Sequence, residues 1–200
     1  EVGVMTTLTD LARNAAPRNV AADIGRLFGE AVAKKQDQDL IALFDGFSTA
    51  VGDGTTAINA AAIFNALSTL RGNALNINDC AVVLHPKIAY DLKANLTNTF
   101  ANANANDLAN EALRSGFVGS LAGMRIFETS NMSNTGTTGD YKGGAFHRDA
   151  IALAEMQGLK IETQRDASLR ADEIVATAVY GVGEIHDTYG VELHHDSSIQ

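Results

Sequence analysis

The segment from about Asn19 to Phe44 carries the longest helical pattern in the chain, and any fold must be built around it. Val20, Ile24, Leu27 and Ala31 recur at spacings of four, three and four residues, which places one apolar stripe along a helix. Pro17 stands just before it, where a helix start tolerates proline. Lys34-Lys35-Gln36-Asp37-Gln38-Asp39 interrupts the stripe before Leu40, Ile41 and Phe44 resume it. The middle of the helix is therefore expected to be exposed, with the two lysines beside Asp37 and Asp39 on a solvated face.

The far end of the chain makes a different demand. Ile174 to Val182 is apolar on both alternating faces, the pattern of a strand covered on both sides. Val191 and Leu193 alternate with Glu192 and His194, which predicts a strand buried on one side. Glu1-Val2-Gly3-Val4 alternates at period two and reads as the final part of a strand that needs a partner. On that pattern the chain is expected to be a piece of a longer protein.

Shorter elements lie between. Gly46 and Gly52-Asp53-Gly54-Thr55-Thr56 mark a loop, with Thr55 or Thr56 expected to cap a helix carrying Ala60, Ile63, Phe64, Leu67 and Leu70. Ala81 to Leu84 reads as a buried strand, and Pro86 opens a helix with Ile88, Leu92 and Leu96 on one face. His85 is the junction. That helix fades into the Ala/Asn-rich stretch from Phe100 to Asn110, followed by the Gly-punctuated Ser115–Gly123, a strand at Met124 to Glu128 and a polar loop from Thr129 to Gly144, expected to be mobile or at a subunit boundary. A long helix early and long strands late, enclosing a mixed segment, predict an α+β chain whose middle is an insertion.

Charge narrows the function. The net charge of −9 and the lack of clustered Lys and Arg argue against a protein whose main task is to grip nucleic acid. No apolar run approaches the roughly 20 residues of a membrane span, so no membrane partner is expected. Cys80 is the one cysteine, which rules out an intrachain disulfide and suits a small buried strand residue.

Catalytic motifs are incomplete. His147-Arg148-Asp149 matches a kinase catalytic-loop tripeptide, but Ala154 stands where the asparagine belongs. Gly181-Val182-Gly183 begins a dinucleotide pattern and reaches His186 where the third glycine should be; glycines that permit close packing or a bulge are the simpler reading. Glu192 and His194 share one strand face and His195 takes the other, fewer ligands than a zinc site needs. His186 beside Asp187 has the parts of an oriented imidazole without a nucleophile. Catalytic, cofactor-binding and metal residues are accordingly none, and an enzyme or small-molecule binding domain rests on isolated residues.

The order of these pieces is more informative than any one of them. The long helix ending in Asp45-Gly46-Phe47, the VVLHPKIAYDL run from Val82 to Leu92, SGFVGSLAGMRIFETSNM from Ser115 to Met132, GGAFHRDAIALAEMQGLKIETQRD and DEIVATAVYGVGEIHDTYGVELHHD together resemble the major capsid protein of tailed bacteriophages, whose coat fold is shared with encapsulins and herpesvirus floor domains. The resemblance covers nearly the whole chain. It implies a phage major capsid protein fold with a long spine helix, long peripheral-domain strands and an inserted axial domain. The implied boundaries are 1–48 for the peripheral domain with its spine helix, 49–156 for the axial domain, 157–185 for the peripheral strands, and 186–200 for a return to the axial domain or a C-terminal strand.

It further implies a structural protein, not an enzyme, that assembles with itself through hexamers and pentamers into an icosahedral shell around packaged double-stranded DNA. Scaffold, portal and decoration proteins are the other implied partners, and the implied location is the virion, after assembly in the host bacterial cytoplasm. An encapsulin-type shell with enzyme cargo is the alternative. The family's N-terminal arm and extended hairpin loop are expected before Glu1, and His85 matches a position that is a structural joint.

Overall fold

The computed structural model describes residues 1–15, 19–100, 119–135 and 139–199. Pro17, the Ala/Asn tract beyond Phe100 and Ser115–Val118 lie outside them. The chain forms two compact units, Glu1–Asp39 with Leu153–Val182, and Leu40–Ala152 with Gly183–Gln200.

In the first unit, β1 (Val2–Thr9) pairs antiparallel with β8 (Ala171–Glu184) from Val2↔Ala178 to Thr9↔Ala171, and β7 (Ile151–Asp166) flanks β8 on its other edge. The partner that Val2 and Val4 require is thus β8. A turn joins β7 to β8, where the Asp166 carboxylate accepts from the Ser168 N–H, the Ser168 hydroxyl and the Leu169 N–H. Next to that turn, Arg165 makes a bidentate pair with Asp10 at 2.7 Å to each oxygen, and Arg13 reaches Asp172 at 2.8 Å. Thr9 Oγ1 accepts from the Ala12 N–H at the start of the short α1 (Asp10–Ala15).

The long helix, α2 (Val20–Ile41), starts at Asn19, whose side chain accepts from the Ala22 N–H. Phe28 is buried with Leu8, Ile174 and Ala176, Val4, Val20 and Ile24 pack around them, and Val32, one turn further on, is buried too. The buried stripe therefore runs Val20, Ile24, Phe28, Val32. Leu27, placed in the stripe from the sequence, is 53% exposed, and Ala31 is exposed too. Positions three and four residues beyond Ile24 straddle the same helix face, and contact with β1 and β8 selects the second. Lys34 and Lys35 are exposed, with Lys35 paired to Asp39 at 2.5 Å.

The second unit is built on a six-stranded mixed sheet. Its strands are β2 (Ala50–Val51), β3 (Cys80–Leu84), β4 (Ser120–Leu121), β5 (Met124–Glu128), β6 (Asp140–His147) and β9 (Gly190–Asp196), in the order β2-β9-β6-β3-β5-β4. Two helices, α3 (Ala60–Gly72) and α4 (Pro86–Phe100), supply Ile63, Ala66, Leu70, Ile88 and Leu92 to a core that also contains Val82, Met124, Val191 and Leu193. Cys80 is buried in β3, and burial pushes its thiol above the ordinary value.

Four local expectations are corrected. The cap of α3 is Asn59, whose side chain accepts from the Ala62 N–H at 2.9 Å, instead of Thr55 or Thr56. Strand β6 begins at Asp140, inside the segment read as a loop to Gly144; the isolated bridge Asn134↔Tyr141 and buried Met132 draw the preceding stretch inward. Strand β9 is buried on both faces, with Glu192 6% exposed between Val191 and Leu193, because both α3 and the Ala42–Gly46 turn pack against it, with Phe44 of that turn over Gly144, the cross-strand partner of Glu192. Gly181 and Gly183 have open space where a Cβ would stand, so close packing does not explain them; glycines that do permit close approach include Gly52, Gly143, Gly144 and Gly190.

Candidate functional site

All five histidines are engaged by their neighbours. His85 sits between β3 and α4: its Nδ1 accepts from the Lys87 N–H at 3.3 Å, and its ring stacks on Tyr141 with centroids 3.7 Å apart and planes 4° from parallel. A ring nitrogen that accepts from the first turn of α4 satisfies one of the donors a helix start leaves free. Burial, followed by the nearby Lys87 charge, holds this imidazole below its usual range. It is both cap and packing group at the joint.

The kinase-like tripeptide forms the turn after β6. His147 is buried edge-on against Tyr189 and accepts from the Asp149 N–H, while Arg148 reaches Asp79 at 3.6 Å. Asp187 accepts from the Ser48 N–H at 2.7 Å, and the His186 ring leans on Tyr189, so the two are not an acid-oriented imidazole. Glu192 is drawn to Lys142 Nζ at 3.1 Å, and Lys142 also bonds Asp45. His194 Nε2 lies 2.7 Å from Asp140 Oδ1, and His195 Nδ1 lies 3.3 Å from the Thr56 carbonyl.

Among the described residues, no group of three or more His, Cys, Asp or Glu side chains could hold a metal ion, and no helix is long and apolar enough to cross a membrane. The chemistry-bearing side chains tie loops to strands. What each unit offers to a partner is apolar surface: Met5, Leu11, Leu27 and Met156 in the first, and Phe64, Tyr90, Phe127 and Ile185 in the second, all about half exposed or more. Large apolar side chains left in water favour association. Sequence reasoning placed Leu27 and Phe64 on the apolar faces of their helices and did not mark any of these residues as exposed, because a Leu or Phe reads the same in a pattern whether it faces a core or solvent.

A family model described as phage capsid protein matches residues 2–191. The chain belongs to the phage capsid protein family. Among solved structures, this capsid protein is similar to a chain of Mycobacterium phage Che8, at 27% identity and a TM-score of 0.78 over 96% of this chain and 69% of that one. It is also similar to the capsid of cyanophage P-SCSP1u, at 20% identity and a TM-score of 0.76 over 98% and 72%. A third similar structure is the SrpI encapsulin of Synechococcus elongatus, at 13% identity and a TM-score of 0.68 over 100% and 74%. No curated protein matches the capsid chain significantly. Its fold is the phage capsid fold, shared with an encapsulin, its role is that of a shell component of a virion, and its family is a structural one.

Proposed function

We propose that this chain is the major subunit of a phage head, assembling with itself through hexamers and pentamers into an icosahedral shell that encloses packaged double-stranded DNA. The observation that carries this reading is the family match over residues 2–191 together with the fold of a cyanophage capsid over 98% of the chain. Symmetric repetition makes modest contacts sufficient, since every interface recurs around each ring and a subunit has several neighbours. The exposed apolar side chains of each unit are the material for such contacts. With a net charge of −9, the subunit suits a container that does not grip its DNA, and sequence-specific DNA binding forms no part of the proposal.

Assembly in the host bacterial cytoplasm, with scaffold, portal and decoration proteins as further partners, belongs to the same proposal. So does the assignment of 1–48 and 157–185 to a peripheral domain, of 49–156 to an axial domain, and of 186–200 to a return to it or a C-terminal strand. One second reading has a specific observation in its favour: the encapsulin match extends over the entire chain, which suits a shell with protein cargo.

Electron microscopy of native particles, with analysis of their contents, tests both. Closed shells some hundreds of ångströms across that contain nuclease-protected DNA are expected. Shells holding a protein cargo and no DNA would favour the compartment, and discrete monomers or small oligomers would overturn the shell assignment.

A further inference from the structure

A buried imidazole at the end of β9 is left with one ring nitrogen unpartnered. His195 is 4% exposed. Its Nδ1 faces the Thr56 carbonyl, which can only accept, so the neutral ring carries its proton on Nδ1 and its lone pair on Nε2. Nε2 is buried and has no hydrogen-bond partner. A second proton would place an N–H there with nothing to receive it, in surroundings that already disfavour charge.

The segment Gly52–Ala57 closes this site. Its Gly54 N–H donates to the His194 carbonyl at 3.1 Å, its Thr56 carbonyl accepts from the Asp196 N–H at 3.2 Å, and Ala57 bridges to Asp196. At Gly52, whose φ is +95°, a Cβ would fall 2.7 Å from the His195 Cε1 and 2.1 Å from the His194 carbonyl oxygen. Backbone therefore lies directly against the ring. Lifting the segment would uncover the Nδ1–Cε1 edge of the ring and open the buried imidazole to water.

We propose that His195 makes the Gly52–Ala57 segment an acid-released latch, closed on β9 while the imidazole is neutral and opened when Nε2 takes up a proton. The device resides in a single subunit and does not depend on the shell reading.

The charged groups around the ring divide as follows. Asp53, on the segment itself, favours the protonated ring but is exposed and accepts from the Thr55 hydroxyl and N–H. On β9, His194 opposes a second charge, and Asp196 pairs across the sheet with Asp140. On β6, Tyr141 is the cross-strand partner of His195 and Lys142 that of His194; Lys142 is taken by Asp45 and Glu192, and Asp140 by His194 and Thr135. The buried side chains of α3 are apolar, and Asp91 of α4 is held by Ser198. His194 differs from its neighbour in that its Nε2 faces a carboxylate oxygen, Asp140 Oδ1, at 2.7 Å.

Burial is the largest influence on His195 and pushes it below the ordinary 6.5. The hold of the neutral ring is therefore complete above that value and is lost as the pH falls through the interval below it, down to the ring's own depressed value.

The test combines amide hydrogen exchange of Gly54 and Asp196 in the full chain with nuclear magnetic resonance titration of the His195 ring. After correction for intrinsic exchange, opening at these two amides is expected to rise roughly tenfold or more between about pH 7.5 and about pH 5. The rise should track the ring titration, leave the Val82 amide unmoved, and vanish in His195→Gln. Unchanged protection across that range would overturn the latch, as would a ring that titrates without the amides responding. Loss of the pH response in His194→Gln with retention in His195→Gln would also overturn it, assigning the switch to the His194–Asp140 pair. If His195→Gln fails to fold, the ring and amide titrations of the parent protein decide the question by themselves.

Discussion

The Phe47 ring occupies the space into which a side chain at Gly190 would project: a Cβ there falls 2.2 Å from two of the ring carbons. Phe44 stands likewise over Gly144, with a built Cβ 2.8 Å from its Cγ. The turn Ala42–Gly46 and the residue after it are thus laid on β6 and β9 by the absence of two methyl groups. Gly190→Ala is expected to displace Phe47 and destabilise the second unit by about 1–3 kcal/mol. Denaturant unfolding followed by a probe in that unit reads this, and adding Phe47→Leu should recover part of the loss.

Along α2, the buried stripe separates two adjacent apolar residues. Phe28→Ala empties a site in the small cluster with Leu8 and Ile174 and should cost roughly 3 kcal/mol. Leu27→Asp, at a half-exposed position, should leave the free subunit within about 0.5 kcal/mol of the parent. Equilibrium unfolding of the unassembled chain measures both. A large loss from Leu27→Asp in that state would mean that Leu27, not Phe28, faces the sheet.

At the β3–α4 joint, His85→Ala removes the acceptor for the Lys87 N–H and the stack on Tyr141, a loss of about 1 kcal/mol. The fold keeps His85 neutral through burial, so its contribution is complete above the ordinary histidine value of 6.5 and declines as the pH falls below it. His85→Asn offers an acceptor that does not titrate. The stability difference between parent and His85→Asn, measured by thermal unfolding at a series of pH values, is expected to shift toward the variant on acidification.

In the first unit, the Tyr180 hydroxyl donates to Asp39 at 2.7 Å. Burial, then this hydrogen bond to a carboxylate, pushes the phenol up to about 12. The neutral phenol is what the folded state prefers, so its contribution is intact below the ordinary value of 10 and is lost as the pH rises toward 12. Ultraviolet titration of phenolate formation should show one of the four tyrosines ionising late, and Asp39→Asn should bring it down.

The sequence by itself determined which segments are helix or strand wherever a period ran long enough: α2 from its stripe and interruption, α4 from Pro86 with Ile88, Leu92 and Leu96, β8 from its two-sided apolar run. It also carried the family, because the order of Gly-punctuated pieces, strands and the His85-Pro86 joint is a property of the chain itself. Tertiary structure alone decided which side of each element is inside. Leu27 and Phe28 fit one helical period equally well until a sheet covers one of them, and Glu192 reads as a surface residue until the turn carrying Phe44 and Asp45 is laid over that face of β9. The engagement of His195 is of the same kind: its neighbours are Gly52 and Thr56, more than a hundred residues away, and burial by distant segments leaves no trace in local residue order.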